Sequence, residues 1–140
     1  MTAERPRNPA ENDTPPDPAW EAAKIVAGFK TTVESAIAHG SNVDPRLWES
    51  QAIQYLREHY DHCVELYRRL WAEYVKQEIR TGRTVKKIRL ADKENGPDCP
   101  QDPFFSIVNE VIKQKEGSNL RMVETILDDC ESGVLNCKPD

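Results

Sequence analysis

From Arg46 to Thr81 the chain contains neither glycine nor proline, and its apolar residues recur at helical spacing. Starting at Pro45 and stopping at Thr81-Gly82, the pattern predicts one helix of about 36 residues, about 54 Å long at ~1.5 Å per residue. A straight rod of that length is too long for a compact four-helix domain made from 140 residues. It has to bend, project, or meet a partner or a second chain. At about 100° per residue, Ala52, Ile53, Leu56, His59, Tyr60, Cys63, Val64, Leu66, Tyr67, Leu70, Trp71, Tyr74 and Val75 fall within roughly half of the circumference. So wide a stripe must touch at least two neighbours. Within it Leu56, Tyr60, Cys63, Tyr67, Leu70 and Tyr74 alternate by four and three, a heptad seam with tyrosine at a seven-residue repeat. Leu56, Tyr60, Tyr67, Leu70 and Tyr74 are therefore the candidate protein interface, for self-association or a partner helix.

Three Asp-Pro dipeptides, Asp17-Pro18, Asp44-Pro45 and Asp102-Pro103, each precede a helical apolar pattern. An Asp side chain accepts from the free N–H groups of a first turn, and Pro suits the first helical position because its missing N–H would be unpaired there anyway. All three read as helix starts. At the second, Val43 and Trp48 stand where a hydrophobic staple would hold the chain entry. The first helix runs from about Pro18 to His39, with Ala22, Val26, Phe29, Val33 and Ile37 on one stripe and Gly40 as its stop. A later helix covers Pro103 to about Glu116, with Phe104, Ile107, Val108, Val111 and Ile112 inward. The last begins at a Ser118 or Asn119 cap and ends at Gly133, with Leu120, Val123, Ile126, Leu127 and Cys130 on one face.

Between the long helix and Pro103, residues 83–90 are basic and leave strand and frayed helix both open, while 91–102 read as a polar loop; the loop as a whole is placed at about 81–102. The fold class that follows is all-α: a small bundle of about four helices built on one long central helix, residues 17–140. Residues 1–16 hold four of the ten prolines and no aromatic side chain. They read as a disordered or partner-ordered arm.

Apolar residues make up 38% and no stretch approaches the ~20 that a membrane helix needs, so no membrane partner is expected. The first residues lack the apolar core of a secretory leader, which points to an intracellular placement, cytoplasmic or nuclear. The Asn12-Asp13-Thr14 sequon is then without a glycosylation route, and Lys138-Pro139 after Cys137 is not a prenylation tail. In such a compartment Cys63, Cys99, Cys130 and Cys137 are expected as thiols, with no CxxC half-site among them.

The segment His59-Tyr60-Asp61-His62-Cys63 places His59 and Cys63 one turn apart, as two ligands of a zinc site would be. Neither an HExxH nor a Glu-x-x-His pair accompanies it, so no metal or other cofactor is expected. There is no GxSxG, no phosphate-cradling glycine loop and no dinucleotide turn, and the expectation is a chain that is not an enzyme.

Charge is the sharper signal. The net charge of −5 divides into −3 over residues 1–56, +4 over 57–90 and −6 over 91–140. Within 76–90, Lys76, Arg80, Arg83, Lys86, Lys87 and Arg89 face only Glu78. Such a strip can neutralise several phosphates, which makes nucleic-acid backbone a candidate partner. The acidic carboxyl-terminal third can take up the same cations within the chain. The expected function is thus a helical interaction or adaptor subunit of a larger assembly, with a small nucleic-acid-binding subunit as the alternative.

Overall fold

The computed structural model describes residues 17–94 and 99–139, with side chains for all of these except 91–94. The expected arm, residues 1–16, lies outside the described residues, as does Asn95-Gly96. The described residues form six helices and no strand: α1 Pro18–Ala38, α2 Arg46–Glu58, α3 Tyr60–Arg80, α4 Val85–Glu94, α5 Phe105–Glu116 and α6 Leu120–Ser132. The class is all-α, and no described helix is long and apolar enough to cross a membrane.

Local chemistry sets most helix ends. Asp17, Asp44 and Asp102 each accept, through Oδ1, the N–H two residues on, from Ala19 (3.0 Å), Arg46 (2.9 Å) and Phe104 (2.8 Å). That is the first donor available after a proline, which has none. Ser118 Oγ takes the Leu120 N–H in the same way at 3.1 Å. Gly117 and Gly133 close α5 and α6 with φ of 81° and 87°, the left-handed conformation glycine adopts without a Cβ clash.

The single long helix does not form. His59 leaves helical geometry, with φ −121° and ψ 63°, and separates α2 from α3. No residue there is a breaker, so the cause lies in packing. The longest helix available to cover the stripe, α1, has 21 residues, about 32 Å against the ~54 Å of a straight rod. A single straight rod would outrun any one covering helix by about 20 Å. The break instead gives a 21-residue α3 that packs against all of the other described helices. Every member of the expected stripe except His59 is at least half-buried.

A second departure follows Gly82. Residues 85–94 are neither strand nor loop but the helix α4, so the expected loop of about 81–102 is interrupted. Thr84 Oγ1 accepts the Lys87 N–H at 3.2 Å, and Ile88 is fully buried. One anchored side chain in a basic segment is a signal that only the tertiary partner makes readable. Smaller shifts are of the same kind: Phe105 rather than Phe104 enters the core, and Leu120 is 47% exposed.

The expectation of four thiols fails at Cys130 and Cys137, which form a disulfide across seven residues. Gly133 turns the chain back, Leu135 N–H donates to the Asp129 carbonyl at 3.0 Å, and the two cysteine Cα atoms come to 5.3 Å, within disulfide reach. Cys63 does behave as a buried hydrophobe. Its Sγ lies 3.9 Å from the Val108 carbonyl oxygen, and burial pushes the thiol up to about 12.

At the head of α1, Asp17 combines its cap with an ion pair to Arg69 Nη2 at 2.7 Å. The Arg69 hydrogen bond, seconded by the Ala19 N–H, holds the carboxyl below its ordinary 3.8. A carboxyl lowered on folding stabilises above its ordinary value, and the contribution is lost as pH falls below it. In urea titrations at neutral pH Asp17→Ala should cost about 0.5–2 kcal/mol. Asp17→Asn, which keeps the cap oxygen and loses only a solvent-exposed pair, should cost less. The gap between Asp17→Asn and the parent chain should close as the pH is taken through the carboxylate range.

Candidate interaction surfaces

The expected seam is turned inward. Leu56 and Tyr67 are fully buried, and Leu70 and Tyr74 are half-buried against the same core. Tyr67 stacks on Phe105 at 5.5 Å between centroids, and its hydroxyl donates to Asn109 Oδ1 at 2.7 Å. Asn119 Nδ2 closes the triangle, donating to Asn109 Oδ1 (2.8 Å) and to the Tyr67 oxygen (3.2 Å). Tyr60, half-buried, gives its hydroxyl proton to Glu116 at 2.9 Å. Leu56 and Tyr67 are thus core residues of this chain, not an open surface. The chain's own helices cover both, on either side of the break at His59.

The basic strip splits in two. Lys76 pairs with Glu73 at 3.4 Å and Arg83 with Glu78 at 2.6 Å. Arg89, its side chain 18% exposed, contacts Glu124 and reaches Asp128 and Glu131 at 2.9 Å each, all three on α6. Arg68 adds a pair to Asp129 at 2.8 Å. Half of the cations are therefore placed against carboxylates of the chain itself. Arg80, Lys86 and Lys87 are exposed and have no ion pair among the described residues.

The histidine–cysteine segment does not converge either. Cys63 points into the core, whereas His59 and His62 stack outside at 5.5 Å, and Tyr55 hydroxyl and His62 Nδ1 lie 3.0 Å apart. No group of three or more His, Cys, Asp or Glu among the described residues is placed to hold a metal ion.

One surface was not singled out from sequence. Val33 and Ile37 of α1, with Pro45 and Trp48 at the start of α2, form an apolar groove of about 300 Å³. Lys30, Glu34, Arg46 and Glu49 complete its lining. Trp48 Nε1–H crosses to the Val26 carbonyl at 2.7 Å, and Lys30 Nζ stands 5.6 Å from the ring centroid. Ile37, the last residue of the α1 stripe, is 41% exposed, and Leu47 beside Trp48 is 45% exposed. The signal in sequence was an α1 stripe that outruns the short segment able to cover it.

No protein-family model, curated protein or solved structure matches the chain.

The Arg89 cluster lies between an exposed ion pair, worth a fraction of a kcal/mol, and a buried one, whose disruption costs ~3–5 kcal/mol. Arg89→Gln should therefore lower stability by about 1–3 kcal/mol, read by thermal denaturation, and the loss should shrink when Glu124→Gln is added. Additive losses would mean that the pair is not coupled.

Proposed function

We propose that the chain is a non-enzymatic helical interaction module, an accessory or adaptor subunit of a larger assembly. The α1–α2 groove carries this reading: an apolar floor open to solvent, with a tryptophan already fixed in place by its hydrogen bond to Val26. A fixed aromatic loses little freedom when a partner arrives, which is the property of a binding anchor. An apolar side chain of a partner helix, or of a second copy, fits between Ile37 and Trp48. The mixed rim, Lys30 and Arg46 with Glu34 and Glu49, matches a surface of equally mixed charge, including its own. The disulfide bears on where the module works. Such bonds persist in oxidising compartments, which weighs against the cytoplasmic or nuclear placement expected from the first residues.

Sedimentation across concentration, together with a photoreactive residue at the exposed position 47, tests the reading. Self-association or one defined adduct is expected, abolished by Ile37→Glu at unchanged helicity because the position is already exposed. A monomer at every concentration with no defined adduct overturns it.

A second reading rests on Arg80, Lys86 and Lys87, the exposed cations without ion pairs. Three phosphate contacts would give a slope of log K against log salt of about −2 for single strands, with little sequence preference. Lys86→Glu with Lys87→Glu should then abolish binding, and no retention of nucleic acid at ~50 mM salt dismisses this reading.

A further inference from the structure

Where α2 ends, α3 begins and α5 ends, Arg57, Tyr60, Val111, Gln114 and Lys115 line an open hollow of about 330 Å³. It is separate from the α1–α2 groove and shares no lining residue with it. We propose that this hollow binds an organic oxyanion, a carboxylate or phosphate group carried on a small apolar body.

Two cations, and no carboxylate among the described residues, line the hollow, with Glu116 beside it on the Tyr60 hydroxyl. Nε and Nη2 of Arg57 both donate to Gln114 Oε1, the first at 3.0 Å. Two donors from one guanidinium are the fork that a carboxylate or phosphate accepts. Here a single neutral amide oxygen occupies it. Lys115 Nζ stands 5.4 Å from the centroid of the Tyr60 ring. Neither cation has an ion pair among the described residues. Tyr60 adds no negative charge: burial, and then the Glu116 carboxylate that accepts its proton, push the phenol well above its ordinary value. Gln114 is also tethered through Nε2 to Glu110 at 3.2 Å, so it can yield Arg57 to a better acceptor without losing its own place. An incoming anion replaces a neutral hydrogen bond by charge-assisted ones, roughly twice as strong.

The apolar body has its own surface. Val111 is buried at the floor and the Tyr60 ring forms a wall. A hollow of this size lies at the small end of ligand sites, which suits a single ring or a short chain. Arg57 and Lys115 also occupy the last turns of α2 and α5, where a cation offsets the partial negative charge of a helix end. Helix ends alone require no apolar floor between the two charges.

The test titrates the full chain with benzoate, phenyl phosphate, inorganic phosphate and benzyl alcohol, and follows amide resonances of Val111, Gln114 and Lys115 together with the Arg57 Nε–H. Saturable shifts are expected for benzoate or phenyl phosphate, and the tighter of the two identifies the head group. Arg57→Gln and Lys115→Gln should each weaken that binding about tenfold, the usual consequence of losing one charged hydrogen bond. Inorganic phosphate and benzyl alcohol, each lacking half of the recognised chemistry, should bind at least about tenfold more weakly. Both substituted side chains are exposed, so folding should survive, and a melting curve checks it. The proposal is overturned by the absence of saturable shifts below ~10 mM, by equal shifts in Arg57→Gln, or by inorganic phosphate binding as tightly as phenyl phosphate. It also falls if the variants only lower the melting temperature and no anion binds, which would assign both cations to the helix ends.

Discussion

Trp71 of α3 is the side chain around which the core is assembled. It is fully buried, with Phe105 meeting it edge-on at 6.0 Å and Tyr74 at 5.5 Å. Phe105 in turn stacks on Tyr67, so one ring of α5 ties together two turns of α3. The arrangement leaves the Trp71 Nε1–H buried and without a hydrogen-bond partner among the described residues. That omission costs about 1–3 kcal/mol. Burying ~200 Å² of indole returns about 5 kcal/mol at ~25 cal/mol per Å², before any gain from the edge-on rings. Burial wins, and the tryptophan stays inside. Tyr67, whose hydroxyl sits in a triangle with Asn109 and Asn119, meets the same demand without that loss.

Helix ends were legible because their causes are local. An aspartate before a proline, or a glycine in the left-handed region, acts through groups two to four residues away and needs no partner from elsewhere. The break at His59, the helix α4 and the disulfide were not legible, since each depends on what packs opposite. Periodicity marked Leu56, Tyr60, Tyr67, Leu70 and Tyr74 correctly as apolar positions of one stripe. It carries no information on whether the covering helix belongs to the same chain. A heptad seam and the inner face of a bundle helix write the same pattern into sequence. The groove was legible only as separate facts: Ile37 ended the α1 stripe and Trp48 stood at a staple position, and the hydrogen bond from Trp48 to Val26 spans 22 residues.

Charge segregation along the sequence has a structural use. The carboxyl-terminal third carries −6, and α6 alone presents Glu124, Asp128, Asp129 and Glu131 within eight residues. Left to themselves these carboxylates would repel one another and the rest of a chain of net −5. Arg68 from α3 and Arg89 from α4 draw them onto the core, and the Cys130–Cys137 bond fastens the tail behind them. Cations used in this way are unavailable to phosphates. Of the six cations in the strip, Arg80, Lys86 and Lys87 remain exposed and without an ion pair among the described residues.

The break at His59 also determines what is left open. Residues at the start of α2 line the groove against α1, while the last turn of α2 and the first residue of α3 line the oxyanion hollow. From Trp48 to Arg57 is nine residues of helix, about 14 Å at ~1.5 Å per residue, beyond the reach of a side chain at either end. No single side chain can therefore belong to both surfaces. Ala52 and Leu56, buried on the face between them, fix the rigid body on which both sites are mounted. A continuous helix from Pro45 to Arg80 would have kept Arg57 and Tyr60 on one straight surface. The hollow spans the residue at which helical geometry is lost, with Arg57 before it and Tyr60 after it.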